Sequence, residues 1–155
     1  MHRQIVSALA ALLVALSLWT PAGAETKPEN AIKYRHAVMT GMAAHIEALS
    51  MIALGMVDHP DQLQNHAEAL ANAGAELSVL FPSGSGEGDT EALPIIWEEP
   101  DKFSAAIAEA EKTTAALRDA AAGSDRKAII DAFKAAGKAC KDCHERYREE
   151  HDHDD

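Results

Sequence analysis

Basic residues and cysteines are both scarce in this sequence. It contains 14 lysines and arginines against 25 aspartates and glutamates, which gives a formal net charge of −11 at pH 7. An acidic surface of this kind is a poor partner for nucleic acid or for an anionic membrane. The only two cysteines are Cys140 and Cys143, so no second pair exists to complete a four-ligand zinc site.

An apolar run long enough for a membrane span is also missing, because a spanning helix needs roughly 20 residues. The run from Ile5 to Trp19 is shorter, follows Arg3 and precedes Ala22-Gly23-Ala24. This order is typical of a secretory signal with its cleavage site. We therefore predict a signal peptide at residues 1–24, no membrane anchor once it is removed, and a single domain at residues 25–155.

Runs of β-branched residues are lacking as well, whereas alanine is abundant, so helices are expected and no strand is needed. Four apolar-periodic segments follow one another at about 28–56, 60–80, 100–123 and from the capping residue 124 or 125 onward. This pattern predicts an all-α fold, an antiparallel up-down-up-down four-helix bundle with the fourth helix beside the first.

The core-facing side of each helix is predicted from residues that recur in steps of three and four. In the first helix this seam comprises Arg35, Met39, Met42, Ile46, Leu49, Ala53 and Met56. The third helix is expected to bury Phe103, Ile107, Ala110 and Leu117. The connection at about 82–99 has flexible-linker composition at 83–88 and an apolar patch at 94–97 that returns toward the core.

The fourth helix carries the pattern Cys140-Lys141-Asp142-Cys143-His144, which has the C-x-x-C-H spacing of c-type haem attachment. At i, i+3 and i+4 on a helix, the two thiols and the imidazole share one face. Each thiol can then add to one vinyl group of a porphyrin while the imidazole binds the iron. The pattern predicts one covalently bound haem c with His144 as an iron ligand.

Two simpler interpretations of this pair are a thioredoxin-like redox motif and a plain disulfide. A redox C-x-x-C normally opens a helix after a strand, and here a long helical pattern precedes it. Covalent haem attachment in bacteria takes place after export, so the signal peptide and the motif support each other. The expected compartment is the periplasm.

The chain resembles the class II cytochromes c, the family of cytochrome c-prime and its low-spin, methionine-ligated relatives. The resemblance rests on residues 140–148 near the C-terminus, on residues 28–35 at the start of the first helix, and on residues 94–97. It covers essentially the whole chain after the signal, except the tail that follows Glu149. It implies the same four-helix bundle.

The resemblance also implies roles for individual residues. Cys140 and Cys143 match the thioether attachments, and His144 matches the proximal iron ligand. Arg35 matches an arginine near the haem propionates, where a guanidinium donates charge-assisted hydrogen bonds; alternatively it is a solvated helix arginine. Arg148 matches an arginine close to the proximal histidine.

Met39 occupies the position that decides how the iron is coordinated. In cytochrome c-prime the matching side chain does not bind the iron, whereas in the low-spin relatives a methionine of the first helix fills the sixth site. A thioether is a soft ligand suited to electron-transfer haems. We predict that Met39 is this ligand; Met42 ligating instead, or Met39 acting as core filler, remain alternatives.

With both axial sites filled, the predicted function is one-electron transfer and the protein is not an enzyme. His36, His45, His59 and His66 are scattered in the sequence and are interpreted as ordinary helix residues. The expected partners are redox proteins, those with basic patches being favoured by the acidic surface. The chain is expected to be a monomer or a homodimer.

Two other functions stay open. The first is a five-coordinate cytochrome c-prime that binds nitric oxide or carbon monoxide. The second is a haem-free periplasmic metal binder that draws on Met39, Met42, Met51, Met56 and the tail His151-Asp152-His153-Asp154-Asp155. Thioethers suit cuprous ions and imidazoles suit cupric or zinc ions.

Overall fold

The computed structural model describes residues 26–149, so the predicted signal peptide and the tail at 151–155 lie outside the described residues. Five helices follow in order: α1 (Pro28–Ala53), α2 (Pro60–Gly74), α3 (Ile95–Glu98), α4 (Pro100–Ala121) and α5 (Arg126–Tyr147). Helix α3 is only a single turn. The other four helices are long and form the all-α, four-helix bundle that the sequence predicts. No helix among residues 26–149 is long and apolar enough to cross a bilayer.

The helix starts follow local sequence signals. Proline stands at the first turn of α1, α2 and α4, where its missing N–H is no loss. At α5, Asp125 is the N-cap: its carboxylate accepts hydrogen bonds from the backbone N–H of Lys127 at 2.9 Å and of Ala128 at 3.2 Å. Of the two capping candidates in the sequence, Asp125 is therefore the one used.

The first helix ends at Ala53, three residues before the predicted end, because Gly55 turns the chain with a φ of 75°. The N–H of Met56 bonds to Met51 O at 2.8 Å and that of Gly55 to Ile52 O at 3.0 Å, which is the Schellman arrangement. Met56 is left 67% exposed, so its assignment to the core seam is wrong.

The second helix is also shorter than predicted, ending at Gly74 and not near Leu80. A 3-10 turn at Leu77–Val79 follows. In a 3-10 turn residues i and i+3 lie on the same side, and here Leu77 and Leu80 both enter the core while Val79 is 70% exposed. The apolar residues after Gly74 are therefore buried without continuing the α-helix.

The bundle core is built from the predicted faces of the helices. Helix α2 packs on α1 and α4, and α4 packs on α5, whereas α5 touches α1 only sparsely. All four core residues predicted for the third helix are buried, as is Ile96 of the 94–97 patch, which is only 2% exposed. Helix α5, which carries the C-x-x-C-H motif, is therefore only loosely packed against α1, which carries Met39.

The 83–88 segment differs from a flexible linker. Ser85 is completely buried. Trp97 donates from its indole N–H to Phe81 O at 3.3 Å, and a Cβ at Gly86 would lie 2.6 Å from the Trp97 ring. The small residues of this segment allow the chain to pack closely on the bundle, so the prediction of a flexible linker is wrong.

Candidate haem site

The three residues of the C-x-x-C-H motif lie together on α5. Cys140, Cys143 and His144 are each half-buried, and Cys143 packs against the hydrophobic core. Both cysteines are free thiols, so the disulfide interpretation does not describe this structure. The sequence therefore places two thiols and an imidazole on one helix face, as the spacing predicted.

Burial sets the protonation of these groups. It raises the pKa of Cys140, and it raises the pKa of Cys143 to about 11, with a further contribution from Cys140. Burial, followed by the positive charge of Arg148, lowers the pKa of His144, while Glu91 opposes this shift. His144 is consequently neutral at pH 7, which is the form that binds iron.

The end of α5 is fixed by the segment that precedes α3. Leu93 N–H bonds to Tyr147 O at 3.0 Å, and Glu149 N–H bonds to Glu91 O at 2.9 Å. Arg148 Nε lies 3.9 Å from a Glu91 carboxylate oxygen. These contacts hold the last turn of the helix, which includes His144, against the rest of the bundle.

Arg35 is almost fully buried, at 5% exposure, and lies on the α1 face that also bears Met39. Its guanidinium donates to Leu80 O, to the Ser85 hydroxyl and carbonyl, and to the Thr90 hydroxyl, at 2.6–3.2 Å. It also lies 4.8 Å from the centre of the Phe81 ring. None of these partners within residues 26–149 is a carboxylate, and burial lowers the pKa of Arg35.

The methionines of α1 differ in burial. Met39 is partly buried against the core, whereas Met42 is 7% exposed and belongs to the core itself. Both lie on the same face as Arg35, at i+4 and i+7. Exposure of part of Met39 leaves its side chain free to contact a further group.

These residues fit a covalently bound haem. The donor set consists of two free thiols and a neutral imidazole on α5, with a soft thioether available on α1. The sparse packing of α5 on α1 leaves these two helices less closely joined than the other neighbouring pairs of long helices. The Arg35 guanidinium has no carboxylate among these partners, but its two terminal nitrogens already donate four hydrogen bonds, so Arg35 as a propionate partner stays a prediction.

An apolar cleft of about 210 Å³ lies elsewhere, against α3 and α4. It is lined by Phe81, Ile96, Trp97 and Phe103 among others, and by none of the motif residues. The Phe103 ring separates it from Tyr147 by an edge-on contact with ring centres 4.9 Å apart. The cleft therefore adjoins the end of α5 through Phe103 and adjoins Arg35 through Phe81.

Two features of the structure were not found from the sequence. Ser85 and Thr90 hold a buried arginine, although they lie in a segment interpreted as a linker. His45 and His66 were treated as unrelated, but their Nδ1 atoms are 3.0 Å apart. Both remain helix residues, as interpreted, but their contact was missed because sequence periodicity does not report contacts between helices.

Comparison with known proteins gives consistent matches. Residues 30–148 match the family model described as Cytochrome C'. Cytochrome c-554 of Cereibacter sphaeroides is 38% identical over 128 residues, which cover 78% of this chain and 94% of the relative. The structure of cytochrome c prime from Shewanella frigidimarina superimposes with a TM-score of 0.77 at 31% identity, covering 80% of this chain and 98% of that one. A nitric oxide complex of a cytochrome c prime mutant from Alcaligenes xylosoxidans gives a TM-score of 0.75 at 29% identity, covering 81% and 98%.

Proposed function

This chain belongs to the cytochrome c' family, and we propose that it works there as a one-electron carrier with histidine and methionine on the two axial sides of the iron. As in its relatives, the cofactor is one haem c attached through two thioethers. The sequence contains only two cysteines, so Cys140 and Cys143 are assigned as the attachment points. His144, neutral and adjacent to Cys143, is assigned as the proximal ligand.

The observation that carries the proposal is the position of Met39. It lies one helical turn after Arg35 on the core-facing side of α1, and it is only partly buried. When bound, the haem supplies an iron that changes between the ferric and ferrous states. A thioether from Met39 would hold the sixth position and exclude exogenous ligands, so the site needs no catalytic acid, base or nucleophile.

The second candidate is gas binding. It is favoured by the structural similarity to a cytochrome c prime mutant whose structure is a nitric oxide complex. In this case Met39 would be a core residue or a displaceable ligand. Membership of a haem-protein family gives no support to the haem-free metal binder considered from the sequence.

Carbon monoxide added to the reduced holoprotein distinguishes the two candidates. The electron carrier is expected to resist carbon monoxide at concentrations that saturate the Met39→Ala variant, because the thioether competes for the sixth site. Met42→Leu is the matched control, since Met42 lies in the core on the same helix face, and it should behave as the unmodified protein does. Equal binding by the unmodified protein and Met39→Ala would favour the gas-binding function.

We propose the cellular location from the predicted signal peptide and the class of partner from the net charge of the chain. The N-terminal signal sequence would deliver the chain to the periplasm. The net charge of −11 would attract a redox protein with a basic patch, most strongly at low ionic strength. The protein would act there as a monomer or a homodimer.

A further inference from the structure

His45 of α1 and His66 of α2 are in direct contact across the interface of these two helices. Their Nδ1 atoms are 3.0 Å apart, and their ring centres are 5.3 Å apart with the planes inclined at 53°. Both side chains are half-buried. At this separation only one of the two facing nitrogens can carry a hydrogen, so at least one presents a lone pair to the other.

The distance between the two nitrogens matches that of a metal chelate. Imidazole nitrogens bind zinc at about 2.0–2.1 Å, so two of them on one ion are separated by about 2.9 Å at a right angle and about 3.3 Å at the tetrahedral angle. The observed 3.0 Å lies within this interval. To meet at a common ion, each lone pair would point roughly 35–45° away from the line that joins the two nitrogens.

The surface of α1 is open one turn before His45. Gly41 lies one turn before His45, and a Cβ built at Gly41 meets no atom within 4 Å. Residues 26–149 contain no cluster of three or more histidine, cysteine or acidic side chains. Water would therefore occupy the remaining positions on the ion.

We propose that His45 and His66 form a two-imidazole site for a divalent transition-metal ion, with water completing the coordination. Imidazole favours zinc, copper and nickel over magnesium or calcium, which prefer oxygen ligands. The ion would join α1 to α2, so binding would stabilise the folded protein, in which alone the two rings are held together. Neither residue belongs to the C-x-x-C-H motif, and the site is independent of the axial ligands of the haem.

Zinc titration of the holoprotein by calorimetry tests the proposal. All samples carry His151→Asn and His153→Asn, so that the tail contributes no imidazole. His45→Gln and His66→Gln should each weaken zinc binding at least tenfold, whereas His36→Gln, an exposed histidine on the same helix as His45, should leave it unchanged. Zinc should also raise the Tm of the parent and of His36→Gln but not of the other two variants.

A second measurement needs no substitution in the helix interface. Electron paramagnetic resonance of one equivalent of Cu²⁺ bound to the same parent should show coupling to two imidazole nitrogens. The proposal is overturned if that coupling reports fewer than two imidazoles, if the parent binds no zinc, or if His45→Gln and His66→Gln bind zinc as tightly as the parent. The last result would mean that the two rings are joined by an N–H···N hydrogen bond only.

Discussion

Arg35 and Ser85 are joined by two hydrogen bonds in the buried part of the molecule. The Arg35 guanidinium donates to the Ser85 hydroxyl at 3.0 Å and to the Ser85 carbonyl at 2.9 Å. Ser85 has no exposed surface, and its hydroxyl also donates to Pro82 O at 2.8 Å. Helix α1 thereby holds the segment that follows α2 in place. This segment lies close to the backbone groups that hydrogen-bond to the end of α5.

Replacing this arginine by lysine is expected to destabilise the protein although the charge is kept. A single ammonium group cannot reach all four of the acceptors that the planar guanidinium reaches, so buried oxygens lose their partners. Each such loss is worth about 1–3 kcal/mol. Arg35→Lys should lower the free energy of unfolding in urea by that order, whereas Arg118→Lys, on the surface of α4, should change it by no more than about 0.5 kcal/mol. Equal effects of the two variants would contradict the role of Arg35.

Gly74 permits the close approach of α2 to α4. A Cβ at this position would lie 2.6 Å from Thr114 Oγ1. Thr114 is fully buried and donates to Ala110 O at 2.9 Å, so it has little freedom to move. Gly74→Ala should destabilise the protein by about 1–3 kcal/mol in urea unfolding.

Two further variants separate the clash from a general effect of alanine. Gly41→Ala adds a methyl group where nothing lies within 4 Å, so it should be neutral or stabilise by up to about 1 kcal/mol. Thr114→Ala should recover part of the loss when combined with Gly74→Ala, because the clashing atoms are removed. A double variant whose loss equals the sum of the two single losses would argue against the contact.

The N-cap of α5 should contribute measurably to the stability of the helix that carries the haem motif. Asp125 satisfies the backbone N–H groups of Lys127 and Ala128. Asp125→Ala should therefore reduce the free energy of unfolding by about 0.5–2 kcal/mol, and Asp125→Asn should preserve most of it. Ser124→Ala is the control, and a loss as large as that of Asp125→Ala would show that the cap has been misassigned.

The lowered pKa of Glu99 predicts how the stability of the protein depends on pH. Lys102 Nζ, 2.8 Å away, and Arg146 of α5 both hydrogen-bond to its carboxylate and lower its pKa. A carboxyl group with a lower pKa in the folded state stabilises the protein above its unfolded pKa of about 4.3, and this contribution disappears as the pH falls through the folded value. Glu99→Gln should thus be less stable than the parent at pH 7, and the difference should shrink toward pH 3. The exposed Glu98→Gln should show no such trend, and a pH-independent difference for Glu99→Gln would contradict the assignment.

Helix positions and the helix face that the motif residues share were accessible from the sequence because their signals are local. Proline, capping residues and the three-four spacing fix Phe103 and Leu117 in the core, and the C-x-x-C-H spacing places its three groups on one face. Contacts between distant residues gave no such signal. The partners of Arg35 are 45–55 residues away, and His66 is 21 residues from His45. Small polar residues such as Ser85 have low helix propensity in any setting, so composition alone did not distinguish a packed segment from a linker.

Absorption of the oxidised holoprotein in the far red tests the central claim most directly. If His144 and Met39 are the axial ligands, the unmodified protein shows the charge-transfer band of a thioether bound to ferric iron, and Met39→Ala loses it while Met42→Leu keeps it. A five-coordinate, high-spin spectrum from the unmodified protein would contradict the assignment of this cytochrome as an electron carrier.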